Sequence, residues 1–410
     1  MSNQLLTISM ITEKSAITLG NNLVLAKCVN RDYDDEFAIK GAKIGQTLNV
    51  RKPARYSTRL GTVVEIEAQT ETYAPLVFGQ PVGVDLAFTS QELSFSLDDF
   101  SNRIVKPAVV AIANAIDNYG FALVNQGYNF VGTPGTALTG TTARTTILQA
   151  ASRLYDNDAP VEDGNLHLIN GSAFNAVLSD GNSSLFNPAK EISDIYVKGM
   201  QGNFGGFNVY MDQMAPSHTI GAYGVSSPTT LTTGSPQTGS ALSTVGWAAS
   251  TSAVLNVGDV FTIAGVYAVN PQTKNVYGWL QPFTVASTMT NNGSGASTIN
   301  ISPAIVATGA FQNVSAAPAT SAAITVIGAA STVTQQAVAF HRDAIMLANQ
   351  ELVLPIGVET AEYVRDDQTK VGIRLVSQYD IRTNQHISRF DSMIAWATLY
   401  PQLMTRIFTT

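Results

Sequence analysis

The chain has 410 residues, 45% of them hydrophobic and only 13% charged, with a formal net charge of -7. That length and apolar content can bury a substantial core and predict two or three domains. The acidic balance excludes the broad cationic attraction that a nucleic-acid ligand requires, and a single cysteine, Cys28, excludes an intrachain disulfide and reads as a buried thiol of a reducing compartment.

No run of 18 or more continuously apolar residues occurs and the first residues are polar, so neither a membrane span nor a secretory signal is expected. From the N-terminus, Ile8, Ile11, Ala16, Leu19 and Leu23 predict one helix over Leu5–Ala26. The charged stretch Arg31–Glu36 reads as a solvated loop, with an acidic contact or an ion site as the alternative and nothing in the pattern that selects a metal. Thr47–Val84 turns to extended structure: Leu48 and Val50 alternate with polar neighbours, and Thr62–Glu67 is β-branched with a partial period of two. Basic Lys43, Arg51, Lys52, Arg55 and Arg59 precede acidic Glu65, Glu67 and Glu71. A long hairpin with opposite charges on its arms follows; it is either an ordinary solvated hairpin or an arm that fastens onto a neighbour by charge complementarity.

The clearest helix spans Asp99–Gln126, where Phe100, Ile104, Pro107, Ala108, Ala111, Ala115, Tyr119 and Ala122 recur at three- and four-residue intervals and predict one packing face. Asp98 or Asp99 suits its start and Gly127 its end. Pro107 leaves two readings, a bend or a main helix that begins at the proline. The helix reads as a structural spine. A second amphipathic run follows Thr141-Thr142 with Ile147, Leu148, Ala151, Leu154 and Tyr155, and ends at Asp156–Pro160. Short elements are expected at Leu166–Ile169 and Phe174–Leu178, and a helix at Ala189–Val197. Gly199, Gly202, Gly205 and Gly206 surround Phe204 and Phe207, a pattern read as tight turns rather than an anion cradle.

Between Gly221 and Gln335 only two residues, Asp259 and Lys274, carry a formal charge. Strand candidates Val257–Ile263, Pro282–Val285, Thr298–Ile301 and Ala323–Val326, separated by Gly, Asn, Ser and Pro, predict a small antiparallel barrel or sandwich with Val260, Phe261, Ile263, Phe283 and Val285 in its core. Charge returns where the segment ends, which marks it as an insertion that splits a parent domain. Beyond it, Thr332–Gln350 reads as a helix with Val333, Ala337, Phe340, Ile345 and Leu347 inward, Val371–Tyr379 as a strand, and Asp391–Leu399 as a short helix.

No constellation carries chemistry. His341-Arg342-Asp343 lacks the asparagine spacing and glycine loop of a kinase; His167, His218, His341 and His386 are dispersed without metal-ligand spacing; neither a phosphate-binding loop nor a nucleophile elbow occurs. The chain is expected not to be an enzyme, with no catalytic, cofactor-binding or metal-binding residues.

Lys43–Thr47 followed by Val50–Pro53, the approach Phe88–Leu93 to the long helix, and the closing Arg374–Asp380, in that order around a β-rich insertion, resemble the major coat proteins of short-tailed, P22-like phages, which carry the HK97-type shell fold. The resemblance implies an α+β chain with a long spine helix, an extended loop and an inserted all-β barrel-like domain. It divides the sequence into an N-terminal arm (1–46), extended loop and peripheral strands (47–98), spine helix (99–127), first axial and peripheral part (128–220), insertion (221–335) and second axial and peripheral part (336–410). Arg51, Lys52, Arg55, Arg59, Glu65, Glu67 and Glu71 then become intersubunit contacts, and Phe100, Ile104, Ala108, Ala111, Ala115 and Tyr119 spine packing. The implied function is a major capsid protein that assembles in the host bacterial cytoplasm into an icosahedral procapsid and matures into the virion shell around double-stranded DNA. Its implied partners are its own copies in hexamers and pentamers, a scaffolding protein, a portal protein and DNA bound without sequence specificity, with no membrane. The alternative is a non-enzymatic fibrous or tail-associated β-rich binding protein.

Overall fold

The structure is a computed structural model that describes residues 8–32, 47–53, 56, 62, 64, 71–79, 81–89, 105–160, 164–183, 202–224, 230–234, 236–248, 253–291, 295–366 and 369–409. It divides into two compact units. The first comprises Met1–Arg51, Tyr73–Gly120 and Ile345–Ala397, and the second Lys52–Thr72, Phe121–Ala344 and Thr398–Thr410.

In the first unit, helix α1 (Ile8–Asn22) is followed by a single turn, α2 (Leu25–Cys28), and helix α3 begins at Lys106 and runs to Phe121. Pro107 stands in the first turn of α3, where its missing N–H costs no intrahelical bond. Residues Asp99 to Ile104 of the expected spine, including Phe100, lie outside the described residues. Val24, Leu25 and Ala26 donate their backbone N–H groups to the Asp117 carboxylate at 2.7, 3.3 and 3.2 Å. The start of α2 is thus capped from a residue far away in sequence, and Asp117 is itself buried.

The sheet of this unit orders strands Ile345–Gln350, Gln385–Thr398, Gly372–Asp380 and Thr360–Arg365, with Val82–Thr89 also paired to Gln385–Thr398. Helix α1 packs on its Thr360–Arg365 strand. The expected helix Asp391–Leu399 is instead the buried end of the strand Gln385–Thr398.

In the second unit the parent sheet orders Asn129–Val131, Met404–Phe408, Val333–His341, Leu166–Asn170, Phe207–Met211 and Asn203–Phe204, while Ser217–Thr219 pairs with the start of Val333–His341. The last strand of the chain therefore occupies an interior place, parallel to Asn129–Val131 and antiparallel to Val333–His341. Helix α4 (Gly140–Asp156) covers these strands and packs on α5 (Ser172–Ser183). Thr139 and Thr142 close a reciprocal capping box at the start of α4: Thr142 N–H donates to Thr139 Oγ1 at 3.4 Å, and Thr139 N–H to Thr142 Oγ1 at 2.7 Å. Gly205 and Gly206, with φ of 61° and 87°, form the two-residue turn between Phe204 and Phe207. Positive φ at both central residues is the requirement of the tight hairpin turn that matches strand twist, so these glycines make a turn. The expected helix Ala189–Val197 lies outside the described residues.

The helix expected over Thr332–Gln350 is two strands, Val333–His341 and Ile345–Gln350, joined by one 3-10 turn. The first is buried at every position from Gln336 to His341. A strand covered on both faces shows no two-residue alternation, and its alanines then imitate a helical run.

The segment between the parent strands is a closed six-stranded barrel in the order Gly239–Val245, Ser297–Ile305, Val276–Val285, Val260–Val269, Ala323–Val326 and Thr230–Thr232. Its core gathers Leu242, Trp247, Phe261, Ile263, Phe283, Val285, Ile299 and Ile301. Phe261 faces Phe283 across paired strands with ring centroids 5.9 Å apart.

Truncating Asp117 removes the common acceptor of three backbone donors, two of them buried. Asp117→Ala is expected to destabilise the first unit by about 3 kcal/mol, read by urea unfolding of the subunit, with faster amide exchange at Leu25 and Ala26. Unchanged stability would remove Asp117 from this role.

Candidate assembly interface

The extended arm is built by pairing Thr47–Lys52 with Thr72–Val77. The second strand is one-sided: Ala74 and Leu76, with Phe78 just beyond it, are buried, whereas Tyr73 and Val77 point outward and are 63% and 50% exposed. Tyr56 and Val64 are also exposed. Of the seven arm charges expected to make contacts, Arg51 and Glu71 are exposed, and Arg55, Arg59, Glu65 and Glu67 lie outside the described residues. Lys52 is half-buried with its Nζ 5.4 Å from the centre of the Tyr400 ring, so within the subunit it already has a cation-aromatic partner.

The strand that follows the arm, Val82–Thr89, is held in register on Gln385–Thr398 from Val82 opposite Ser392 to Thr89 opposite Gln385. Asp85 sits directly across from Arg389 and accepts from its Nε at 2.6 Å and from Nη2 at 2.8 Å. The hydrogen bonds from Arg389 hold the Asp85 carboxyl below its usual range. A more enclosed pair, Arg374 Nη2 to Asp391 Oδ2 at 2.6 Å, lies on the adjoining strand.

The spine face requires a correction. Ala108 is buried, but Ala111 and Tyr119 are exposed and Ala115 is only half-buried, while Ile104 lies outside the described residues. The buried face is Val105, Val109, Ile112, Ala113, Ile116 and Asp117. The sequence reading rotated the stripe because it favoured small alanines over the larger β-branched residues between them. Lys106–Gln126 is long and apolar enough by composition to cross a membrane, yet half of it is buried inside the protein, the behaviour of a core helix.

The five residues expected in the barrel core, Val260, Phe261, Ile263, Phe283 and Val285, are all buried. The barrel's two charges are both used internally. Asp259, at 1% exposure, accepts from His218 Nε2 at 2.7 Å, Gly221 N–H at 3.0 Å and Asn256 N–H at 2.8 Å. Lys274 donates from Nζ to the carbonyls of Pro271 at 2.6 Å and Ala310 at 2.7 Å, which ties the hairpin tip to a neighbouring loop. Of this segment's two charges, Asp259 is buried and Lys274 is half-buried with its ammonium held by carbonyls. A second seam joins the barrel to α4: the Arg153 guanidinium lies 3.8 Å from the centre of the Trp279 ring, Tyr277 stacks on that ring, and Tyr277 hydroxyl donates to the Asp156 carbonyl at 2.8 Å. Cavities of about 370 and 260 Å³ flank it, both lined by Phe130, Arg153 and Trp279. Burial lowers the pKa of Arg153 and raises that of Asp156. Sequence reasoning missed both seams. The one usable signal was Asp259, the sole acid in a neutral segment.

Among the described residues, no three of His, Cys, Asp and Glu form a group that could hold a metal. His386 contacts Glu359 at 3.5 Å and the Tyr379 ring. His341 lies 3.6 Å from Asp343. Cys28 is buried, and burial, with repulsion from Asp117, pushes its thiol up to about 12.

A family model described as P22 coat protein, gene protein 5, matches residues 2–408. No curated protein matches the chain. Among solved structures, one titled Mycobacterium phage Che8 is 12% identical with a TM-score of 0.47, covering 94% of this chain and 90% of its own. The capsid structure of the cyanophage P-SCSP1u is 11% identical with a TM-score of 0.46, covering 93% and 88%. The CUS-3 coat protein I-domain is 33% identical with a TM-score of 0.19, covering 25% of this chain and 97% of its own.

Two outcomes follow from these environments. A disulfide reagent at pH 8 should leave Cys28 of the folded subunit unmodified for hours, since a pKa near 12 leaves a thiolate fraction of roughly one in ten thousand, and should titrate it at once in denaturant; rapid labelling of folded protein would contradict the burial. Because the folded pKa of Asp85 is depressed, its pair with Arg389 contributes above the unfolded carboxylate pKa and is lost as pH falls through the folded value. Both side chains are more than half exposed, so Asp85→Asn should cost no more than about 0.5 kcal/mol at pH 7 and nothing below the folded pKa, read from paired unfolding curves.

Proposed function

Since the matched model spans residues 2–408, the chain belongs to the P22 coat protein family, and from that premise we infer how its parts serve a shell. It is a major capsid protein, a coat subunit of a phage whose copies form an icosahedral shell. The family match carries this reading. In a closed shell each subunit presents the same patches to its neighbours, so modest contacts are multiplied by symmetry.

The finer reading is that copies associate as hexamers and pentamers into a procapsid in the host cytoplasm, guided by a scaffolding protein and interrupted at one vertex by a portal, and that the shell later encloses double-stranded DNA. The net charge of -7 supports a lining that does not grip the phosphate backbone. The arm supplies the intersubunit contact in this account, through Arg51, Arg55, Arg59, Glu65, Glu67 and Glu71 together with outward Tyr73 and Val77. Exposed apolar side chains beside charges are what a partner surface covers. The inserted barrel, without a free charge, meets its neighbours through neutral contacts.

Co-expression with the neighbouring scaffold gene product and cryo-electron microscopy tests the assembly: closed icosahedral particles are expected, whereas fibres or a small defined oligomer in the presence of soluble scaffold would favour the tail-associated alternative. Reversal of the arm charges (Arg51→Glu, Arg55→Glu, Arg59→Glu) should abolish closed particles without moving the subunit's unfolding midpoint. Normal shells from these variants would take the intersubunit role away from the arm.

A further inference from the structure

The strand Met404–Phe408 carries a charge that the assembly reading does not use. Arg406 is wholly buried, and its Nε, Nη1 and Nη2 have no hydrogen-bond partner in the protein. Gln336 is buried too, with neither Oε1 nor Nε2 partnered. The two are neighbours by register: on the paired strands Val338 stands opposite Arg406 and Gln336 opposite Phe408, in an unbroken ladder. Residues two apart on a strand share a face, and a diagonal pair on that face is within reach of long side chains. Three nitrogens of Arg406 and both polar atoms of Gln336 thus gather, unanswered, on one face of the parent sheet.

The surroundings are aromatic. Phe130 stands opposite Arg406 on the other neighbouring strand, its ring centre 6.1 Å from that of Phe408, which in turn lies 5.8 Å from the guanidinium. Phe130 is half-buried and lines both cavities, of about 370 and 260 Å³. One side chain therefore borders both the arginine and the space that opens toward solvent.

A buried cation without partners is among the most costly arrangements available to a fold. Burial pushes the guanidinium down to about 10, which leaves it charged at neutral pH, and Asp259, the acid whose charge opposes that shift, commits its carboxylate to His218, Gly221 and Asn256. An anion from solution can answer the charge instead. The guanidinium presents a fork of donors, the Gln336 amide adds another donor, and its Oε1 can accept from a water of the anion's shell. A single positive charge selects a monovalent species, since a divalent one would leave a net charge buried.

We propose that Arg406 and Gln336 form a buried binding site for a small monovalent inorganic anion, of which chloride is the simplest case, entered past Phe130 from the adjoining cavities. The stability of the second unit is then linked to the concentration of that anion, because the site exists only in the folded chain.

The test replaces gluconate, too large for the site, by chloride at fixed ionic strength, and follows amide exchange of Met404–Phe408 in the full-length subunit in moderate urea. The folded-to-unfolded ratio of the second unit should rise at least about threefold between about 5 and 150 mM chloride and then level off. The general salt effect runs the opposite way, since an excluded anion favours the compact state. Arg406→Met removes the cation while filling its volume and should abolish the chloride gain; Gln336→Leu should shift it to higher chloride. A parent indifferent to chloride, or a gain that survives in Arg406→Met, would overturn the site. If Arg406→Met does not fold, Gln336→Leu decides, and an unshifted chloride dependence in it refutes the proposal. None of these readouts involves shell formation, so failure here leaves the coat-protein reading intact.

Discussion

A long insertion is compatible with its host only where its two ends meet, and the chain meets that constraint with backbone pairing. Ile220 N–H donates to the Thr332 carbonyl at 3.0 Å and Ser331 N–H to the Gly221 carbonyl at 3.2 Å, continuing the ladder of Ser217–Thr219 on Val333–Gln335. Closure entropy grows only slowly with loop length once the ends are fixed, so the barrel can be large at little cost to the parent sheet. Gly221 has no room for a side chain: a Cβ there would approach Leu255 Cα to 2.7 Å. The strand that leaves the insertion continues directly into the interior of the parent sheet, beside the terminal strand. The barrel's stalk and the sheet's centre are therefore one continuous piece of backbone, and a change at one is felt as a change of register at the other.

What could be read from the sequence divides along burial. The barrel was legible because its strands are punctuated by Gly, Asn and Pro and carry Phe261, Ile263, Phe283 and Val285 at alternating places. The strands Thr230–Thr232 and Gly239–Val245 escaped because threonine, serine and glycine give no apolar contrast. Helix α4 was legible from its period of 3.6, although its cap is Thr139, two residues before the threonines with which the sequence pattern opens. Val333–His341, Ile345–Gln350 and the end of Gln385–Thr398 were not, since strands buried on both faces lose their period. On α3 the helix was evident but its buried face was misplaced, because Ala111, Ala115 and Tyr119 obey the same spacing as Val109, Ile112 and Ile116. Periodicity fixes that a face exists, and side-chain volume decides which face is covered. Contacts such as Asp117 to α2, Asp259 to His218 and Arg153 to Trp279 join residues distant in sequence and leave no local pattern.

The neutrality of the barrel has a physical consequence for a protein that must meet copies of itself. Around a symmetry axis identical patches face one another, and a lone charge on such a patch confronts its own image. Like charges juxtaposed at an interface cost several kcal/mol, and natural surfaces relieve this by alternating signs. Here the segment has only two charges to place, and both are withdrawn: Asp259 into the junction and Lys274 onto the carbonyls of Pro271 and Ala310. The remaining surface of Thr, Ser, Ala, Gly and Asn has no long-range field, so any contact that such a surface makes depends on short-range fit and hydrogen bonding and responds little to ionic strength. Charges that can carry a long-range field lie outside the barrel, among them exposed Arg51, Glu71, Asp85 and Arg389. The division of charge that stands out in the sequence is thus a division of labour between a segment whose charges work inside it and segments whose charges are displayed.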